Sequence, residues 1–236
     1  MFDLNNSFPE FYQFHGRRVS KKISSSNIDL IQNKFEEYSI DKDVINLINK
    51  KDYSLNLSLN NNFKKIVIEV GFGNGDYLIR KAKENQNFLY IGSEVYINGI
   101  AKVLKYISKH NVKNIKLCGI NFLFLLKSLK IKTIDEIYFI NPDPWLKKRH
   151  NKRRLLNYDN LLSIKKLLRK NGKIFISTDS EDYFNAIKLS INNEKQFNKV
   201  IFECMSDSDA MYGISNYQKK AISKKKQIYK IEIFQN

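Results

Sequence analysis

At 236 residues and 42% hydrophobic, the chain is long enough for one substantial core, a catalytic-sized α/β domain with appendages. No apolar run approaches the roughly 18 residues that cross a bilayer. An N-terminus carrying Asp3, Asn5, Asn6 and Glu10 lacks a signal-peptide pattern, so a cytoplasmic protein without membrane attachment is expected. A net charge of +17 points to a polyanionic partner, because Lys and Arg gain from displacing counterions along a phosphate backbone.

Residues 1–60 are polar and weakly periodic and read as a basic/polar N-terminal extension, leaving 61–236 as the main domain. From Phe63 onward, strand-length apolar runs alternate with helix-period segments, the pattern of a parallel sheet with crossover helices. Strands are predicted over Phe63–Val70, Phe88–Glu94, Ile115–Leu117 and Ile134–Ile140. Helices are predicted from Asp76, from the second strand to His110, and over Phe122–Leu129. An apolar stripe at Leu155, Tyr158, Leu161, Leu162, Leu167 and Leu168 predicts a helix stopped by Asn171-Gly172, followed by a strand over Lys173–Thr178. A helix from Glu181 and strands near Val200–Met205 and Gln227–Phe234 complete the chain.

Cys118 and Cys204 have no CxxC spacing, and His15, His110 and His150 form no ligand cluster. Neither a disulfide framework nor a metal site is expected, and both cysteines read as buried thiols. The 34 Lys, beside abundant Asn and Ile, are also what an AT-rich coding sequence produces. Placement therefore carries more than the total: five of the seven Arg fall at Arg17-Arg18 and between Arg149 and Arg154.

The first chemical motif is Glu69-Val-Gly71-Phe-Gly73-Asn-Gly75-Asp76, where a strand turns into a helix and glycines let the backbone approach a ligand closely. A dinucleotide fingerprint needs GxGxxG, yet the sixth position is Asp76 counting from Gly71 and Leu78 counting from Gly73. Glu94, at the next strand end, stands where a carboxylate chelates both ribose hydroxyls of a nucleotide-like cofactor. Asn121 follows the third strand.

After the fourth strand comes Ile140-Asn-Pro142-Asp143-Pro144-Trp145-Leu-Lys147-Lys148-Arg149-His150-Asn-Lys152-Arg153-Arg154-Leu155. Two prolines stiffen the turn around Asp143, and six of the eight residues from Lys147 to Arg154 are basic, so a rigid carboxylate adjoins a phosphate-binding strip. A basic run standing alone is usually a solvated face; Trp145, the prolines and His150 make this one specific. The segment resembles the PDPWPKKRHHKRR signature of the tRNA (guanine-N7-)-methyltransferases, departing mainly at Leu146 and Asn151. Gly71-Phe-Gly73-Asn-Gly75 after Glu69 is similar to the first motif of class I methyltransferases. Gly16-Arg17-Arg18 and Thr178-Asp179-Ser-Glu-Asp182-Tyr183 resemble two further family motifs, and Ser215-Asn216-Tyr217-Gln218 aligns with a TKFE-like substrate motif in which Thr and Glu are replaced.

The resemblance implies a Rossmann-like class I methyltransferase fold, α/β, with a seven-stranded, mostly parallel sheet and an antiparallel last strand. It implies S-adenosyl-L-methionine as cofactor, held by Glu69, Gly71, Gly73, Gly75, Glu94, Asn121 in place of the family's usual Asp, and Asp143, which is also the catalytic candidate. Lys147, Asp179, Ser215, Asn216, Tyr217 and Gln218 would hold the guanosine. Arg149, Lys152, Arg153 and Arg154 would meet phosphates, and Lys224 to Lys226 either extend that strip or end the last strand. The implied partner is tRNA and the implied reaction is methylation of guanine N7 at position 46 in the variable loop. Two alternatives remain at this level: a methyltransferase acting on another RNA position, and an RNA-binding protein that has lost catalysis, to which Asn121, Ser215 and Gln218 lend support.

Overall fold

The computed structural model describes residues 23–51, 54, 55, 57, 63–192, 194–197, 199–205 and 227–236. The chain divides into two compact units, Met1–Lys130 and Ile131–Asn236, a division that does not coincide with the boundary expected at residue 60. Among the described residues there are seven strands, three in the first unit and four in the second.

In the first unit β1 (Lys65–Val70), β2 (Phe88–Ser93) and β3 (Ile115–Cys118) run parallel, β2 between the other two. β1 and β2 are almost wholly buried, which is why they read as near-continuous apolar runs rather than as alternations. The connecting helices are α3 (Asp76–Glu84) and α4 (Ile97–His110). On α4 the buried set Ile97, Ile100, Ala101, Val103, Leu104 and Ile107 recurs at helical spacing and forms one apolar face. The short α5 (Phe122–Ser128) follows β3.

The N-terminal segment is less of an appendage than its composition implies. Helix α1 (Ser25–Tyr38) is capped by Ser24, buries Ile31, Phe35 and Tyr38, and packs on α4 and β3. Helix α2 (Asp41–Asn49) packs on α5. Between them Ile40 N–H donates to Leu117 O at 2.9 Å, and the buried Asp41 carboxylate accepts from Gly119 N–H at 2.8 Å. Asp41 thereby satisfies a backbone donor that the end of β3 leaves unpaired.

In the second unit β4 (Ile134–Ile140) pairs in parallel with β5 (Leu168–Thr178), and β7 (Ile228–Phe234) lies antiparallel between β5 and β6 (Val200–Met205). The antiparallel last strand is as expected. Helix α6 (Tyr158–Leu167) ends before the expected stop, because Leu168 already pairs with Ile134. The next pairs join Glu136 to Lys173, so Asn171-Gly172 marks an irregularity inside β5 rather than a helix end, with Asn171 at φ +65°. Helix α7 (Glu181–Ile191) starts at a Ser180 cap whose hydroxyl accepts from Tyr183 N–H.

Cys118 is buried, but Cys204, expected to be buried, is exposed on β6, an edge strand with much of its length open to solvent. Among the described residues no helix is long and apolar enough to cross a membrane, and no His/Cys/Asp/Glu group could hold a metal ion.

Asp41→Ala removes a buried acceptor from Gly119 and is expected to lower unfolding stability by about 1–3 kcal/mol, with Asp41→Asn costing less because one acceptor oxygen remains. Chemical denaturation checks this, and an unchanged midpoint for the alanine variant would detach α2 from the cooperative unit.

Candidate active site

Gly71, Glu94, Asn121, Asp143 and Asp179 follow the carboxyl ends of parallel strands, where open α/β sheets place ligand sites. In the first unit β1 ends at Val70, and Gly71, Gly73 and Gly75 all take positive φ, at +71°, +54° and +73°. Only glycine enters that region without strain. A Cβ built on Gly71 or Gly73 meets nothing within 4 Å, so the turn presents bare backbone to open space. Gly75 is glycine for packing as well, since its Cβ would stand 2.1 Å from Val103 Cγ2.

Glu94 organises this turn. Its Oε2 accepts from Gly73 N–H at 2.7 Å, and its Oε1 accepts from Val95 and Tyr96 N–H at 2.7 and 2.9 Å. The carboxylate therefore joins the end of β2 to the glycine turn and caps the entry to α4, a role that spacing alone does not reveal. Gly99 in the first turn of α4 was also not legible as a site residue: a Cβ there would lie 1.9 Å from Gly73 O, so the helix and the turn touch backbone to backbone.

Glu69 is 3% exposed and its Oε2 has no hydrogen-bond partner. Desolvation, reinforced by the Glu94 carboxylate, pushes its pKa up to about 8, so the folded protein at neutral pH holds Glu69 mostly protonated. Asn121 caps α5, its Oδ1 accepting from Leu123 N–H at 3.0 Å. A backbone cradle with open space, two carboxyl groups and a strand-end amide fit a nucleoside ligand that carries positive charge.

In the second unit β4 runs into Asn141 and Trp145, both at positive φ (+51° and +44°), bracketing Pro142-Asp143-Pro144. Asn tolerates that region but a bulky Trp does not, so Trp145 holds the turn in a conformation that costs energy, a feature concentrated at functional sites. Asn141 N–H donates to Ser177 O at 2.9 Å, while both polar atoms of its side chain are buried and unpartnered. Asp143 is exposed, yet the atoms packed around its carboxyl desolvate it in part and raise its pKa above the ordinary value.

The basic segment Lys148–Arg153 is a 3-10 helix. Its period of three eclipses side chains at i and i+3, which sorts the cations into two faces. His150 and Arg153 turn toward Trp145, the imidazole edge-on at 5.8 Å and the guanidinium 5.1 Å from the ring centroid. Desolvation and the nearby Arg153 and Lys147 lower the His150 pKa, which favours the neutral ring at pH 7. Arg149 and Lys152 fall on the other face and are exposed with Lys147 and Lys148.

Arg154 departs from the expectation of a phosphate contact. It is 7% exposed, its Nε donates to Pro144 O at 2.8 Å, and its Nη2 pairs with Asp182 Oδ2. A guanidinium so enclosed cannot reach a phosphate without breaking these bonds. Asp179 lies half-buried just after β5. Ser215, Asn216, Tyr217, Gln218, Lys224 to Lys226 and Arg17-Arg18 lie outside the described residues.

Because the Glu69 pKa is raised from 4.5 to about 8, the folded state keeps a proton that the unfolded chain releases, and stability contributed by that proton is lost as pH rises from about 4.5 to about 8. Glu69→Gln, neutral at all pH, is expected to melt progressively higher than the parent as pH increases through that window. Scanning calorimetry of the ligand-free proteins checks the trend, and a constant difference in melting temperature would contradict it.

A family model described as a putative methyltransferase matches residues 63–231. A tRNA (guanine-N(7)-)-methyltransferase of Wolbachia pipientis wMel is 32% identical over 75% of this chain and 78% of its own length. A bifunctional methyltransferase of Rickettsia conorii is 34% identical over 88% of this chain, which spans only 37% of that relative. Among solved structures, a 30S ribosomal A1408 methyltransferase from an uncultured bacterium superposes with a TM-score of 0.51 at 21% identity, covering 81% of this chain and 92% of that one, a likeness of fold. With the model matched from the first strand to the last and the Wolbachia relative aligned over three quarters of the sequence, the chain belongs to the tRNA (guanine-N7-)-methyltransferase family.

Proposed function

We propose that this protein transfers a methyl group from S-adenosylmethionine to N7 of guanine 46 in the variable loop of tRNA. The observation that carries the reading is the Asp143 turn: a partly desolvated carboxyl between two backbone positions at positive φ, followed directly by a two-faced basic helix. The family supplies the frame, since the Wolbachia relative bears the name of this activity. When bound, S-adenosylmethionine supplies an electrophilic methyl on a sulfonium.

Gly71, Gly73 and Gly75 would hold the cofactor's methionine portion with backbone, Glu94 the ribose, and Asn121 the adenine amino group through its side-chain oxygen. Glu69, with an unpartnered buried oxygen, would accept from the ammonium group. An adjacent cation favours the ionised carboxyl, so cofactor binding would release a proton from Glu69.

Guanine N7 carries a lone pair and no proton, so no general base is required. The protein's work is to orient the purine and to stabilise the positive charge that grows on it as the methyl arrives. Asp143 supplies that stabilisation as an anion. Lys147, Asp179 and the Ser215–Gln218 segment would hold the guanosine, while Arg149, Lys152 and Arg153 would meet backbone phosphates. Arg153 would exchange its stacking on Trp145 for a phosphate.

Nucleoside mass spectrometry of unmodified tRNA incubated with protein and labelled cofactor is expected to find 7-methylguanosine; methyl on another base or atom would overturn the reading. Because Asp143 must be ionised and its pKa is raised, the single-turnover rate should fall on the acid side, with the limb displaced upward from the ordinary carboxylate range. Above that limb the profile should be flat to about pH 9. Asp143→Asn should slow the step by about one to three orders of magnitude, and a tenfold rise per pH unit through neutrality would instead require a base. Replacing Lys152 and Arg153 together with Ala should reduce the slope of log tRNA affinity against log salt by about 2 while leaving cofactor affinity unchanged; an unchanged slope would make the strip a solvated face.

A further inference from the structure

Arg154 ends the basic run in sequence but not in space. Its guanidinium is enclosed, and each buried N–H needs an acceptor. One acceptor is Pro144 O, ten residues earlier and next to Asp143; another is Asp182 in the first turn of α7. The guanidinium also lies 5.0 Å from the centre of the fully buried Tyr183 ring. The Tyr183 hydroxyl in turn accepts from Leu156 N–H at 3.0 Å, fixing the backbone just beyond Arg154. The segment from Pro144 to Arg154 is thus a closed loop, cinched at its base by one side chain and anchored to α7.

We propose that Arg154 is a positioning residue: by tying Pro144 to Asp182 it sets where the Asp143 carboxylate stands and how the basic helix presents its cations, and it does not itself contact RNA. The strained turn makes such a tie necessary. With Asn141 and Trp145 both at positive φ, the Pro-Asp-Pro segment relaxes unless something outside it holds it. Of the two arms, the bond to Pro144 O is the stronger constraint, because the Asp182 side chain is 66% exposed and screened by water. Lysine cannot replace this fork, since a single ammonium has no planar set of donors to aim at two acceptors in fixed directions. The proposal rests on the methyltransferase reading only for the step it affects.

The test uses the full-length protein and its single tryptophan, Trp145, which lies inside the cinched loop. Arg154→Ala, Arg154→Lys and Asp182→Asn are compared with the parent by tryptophan emission and acrylamide quenching, by single-turnover methylation at saturating tRNA, and by the salt dependence of tRNA affinity. Arg154→Ala is expected to shift Trp145 emission to the red, increase its quenching and slow methylation about tenfold or more. The salt slope should stay unchanged. Arg154→Lys should recover part of the emission and rate, and Asp182→Asn should move both by less than Arg154→Ala does.

A salt slope reduced by about 1, with Trp145 emission and the rate at saturating tRNA unaltered, would make Arg154 an ordinary phosphate contact and overturn the proposal. If Arg154→Ala does not fold by circular dichroism, the lysine and Asp182 variants decide: parent-like emission and rate in both would likewise overturn it. Should the parent not methylate guanine N7, the functional reading fails, and the emission and salt-slope arms still decide the role of Arg154.

Discussion

The loops that follow parallel strands leave backbone groups without ladder partners, and in this protein long-range side chains satisfy them. Glu94 takes the N–H of Gly73 from the far side of the β1 turn, Asp41 takes that of Gly119 after β3, and Arg154 gives its Nε–H to Pro144 O after β4. Each is a charged group partly or wholly withdrawn from water, and each would be costly to bury without its partner. The price of ordering these loops is met by matching charges to specific backbone atoms. The glycine turn, the entry to α4 and the Asp143 turn then become preorganised parts of the protein rather than floppy connections.

Preorganisation of this kind suits the chemistry proposed. A reaction at guanine N7 asks for no proton to be removed, so little is left for the protein except placement and electrostatics. The two carboxyl groups at the centre of the argument are tuned in the same direction by burial but serve different ends. Burial and the Glu94 carboxylate push the Glu69 pKa up to about 8, which keeps a second anion from standing beside Glu94 at neutral pH. Asp143, though exposed, is desolvated in part, which raises its pKa and strengthens the electrostatic reach of its charge when ionised.

The basic segment illustrates how local geometry divides one run of like charge into different tasks. In a 3-10 helix every third side chain coincides, so His150 and Arg153 share the Trp145 face while Arg149 and Lys152 share an open one. Arg154, one step past the helix, falls on neither face and turns inward. Six cations that look equivalent as letters thus become four exposed charges, one stacked on an indole and one buried in a lock.

Periodicity, glycine placement and the Pro-Asp-Pro-Trp run were by themselves enough to determine the alternation of strands and helices, the turn after β1 and the place of Asp143, because these depend on neighbours close in the chain. The extent of β4 and the end of α4 at His110 were legible for the same reason. What only the tertiary structure decided were interactions between residues far apart in sequence: the packing of α1 and α2 within the first unit, the bond from Gly73 N–H to Glu94, the closeness of Gly99 to Gly73, the exposure of Cys204 on an edge strand, and the inward turn of Arg154. Asn171-Gly172 shows the boundary between the two: the pair readily accommodates a bend, with Asn171 at positive φ, but whether that bend ends a helix or interrupts a strand depends on β4 lying alongside to pair with Leu168.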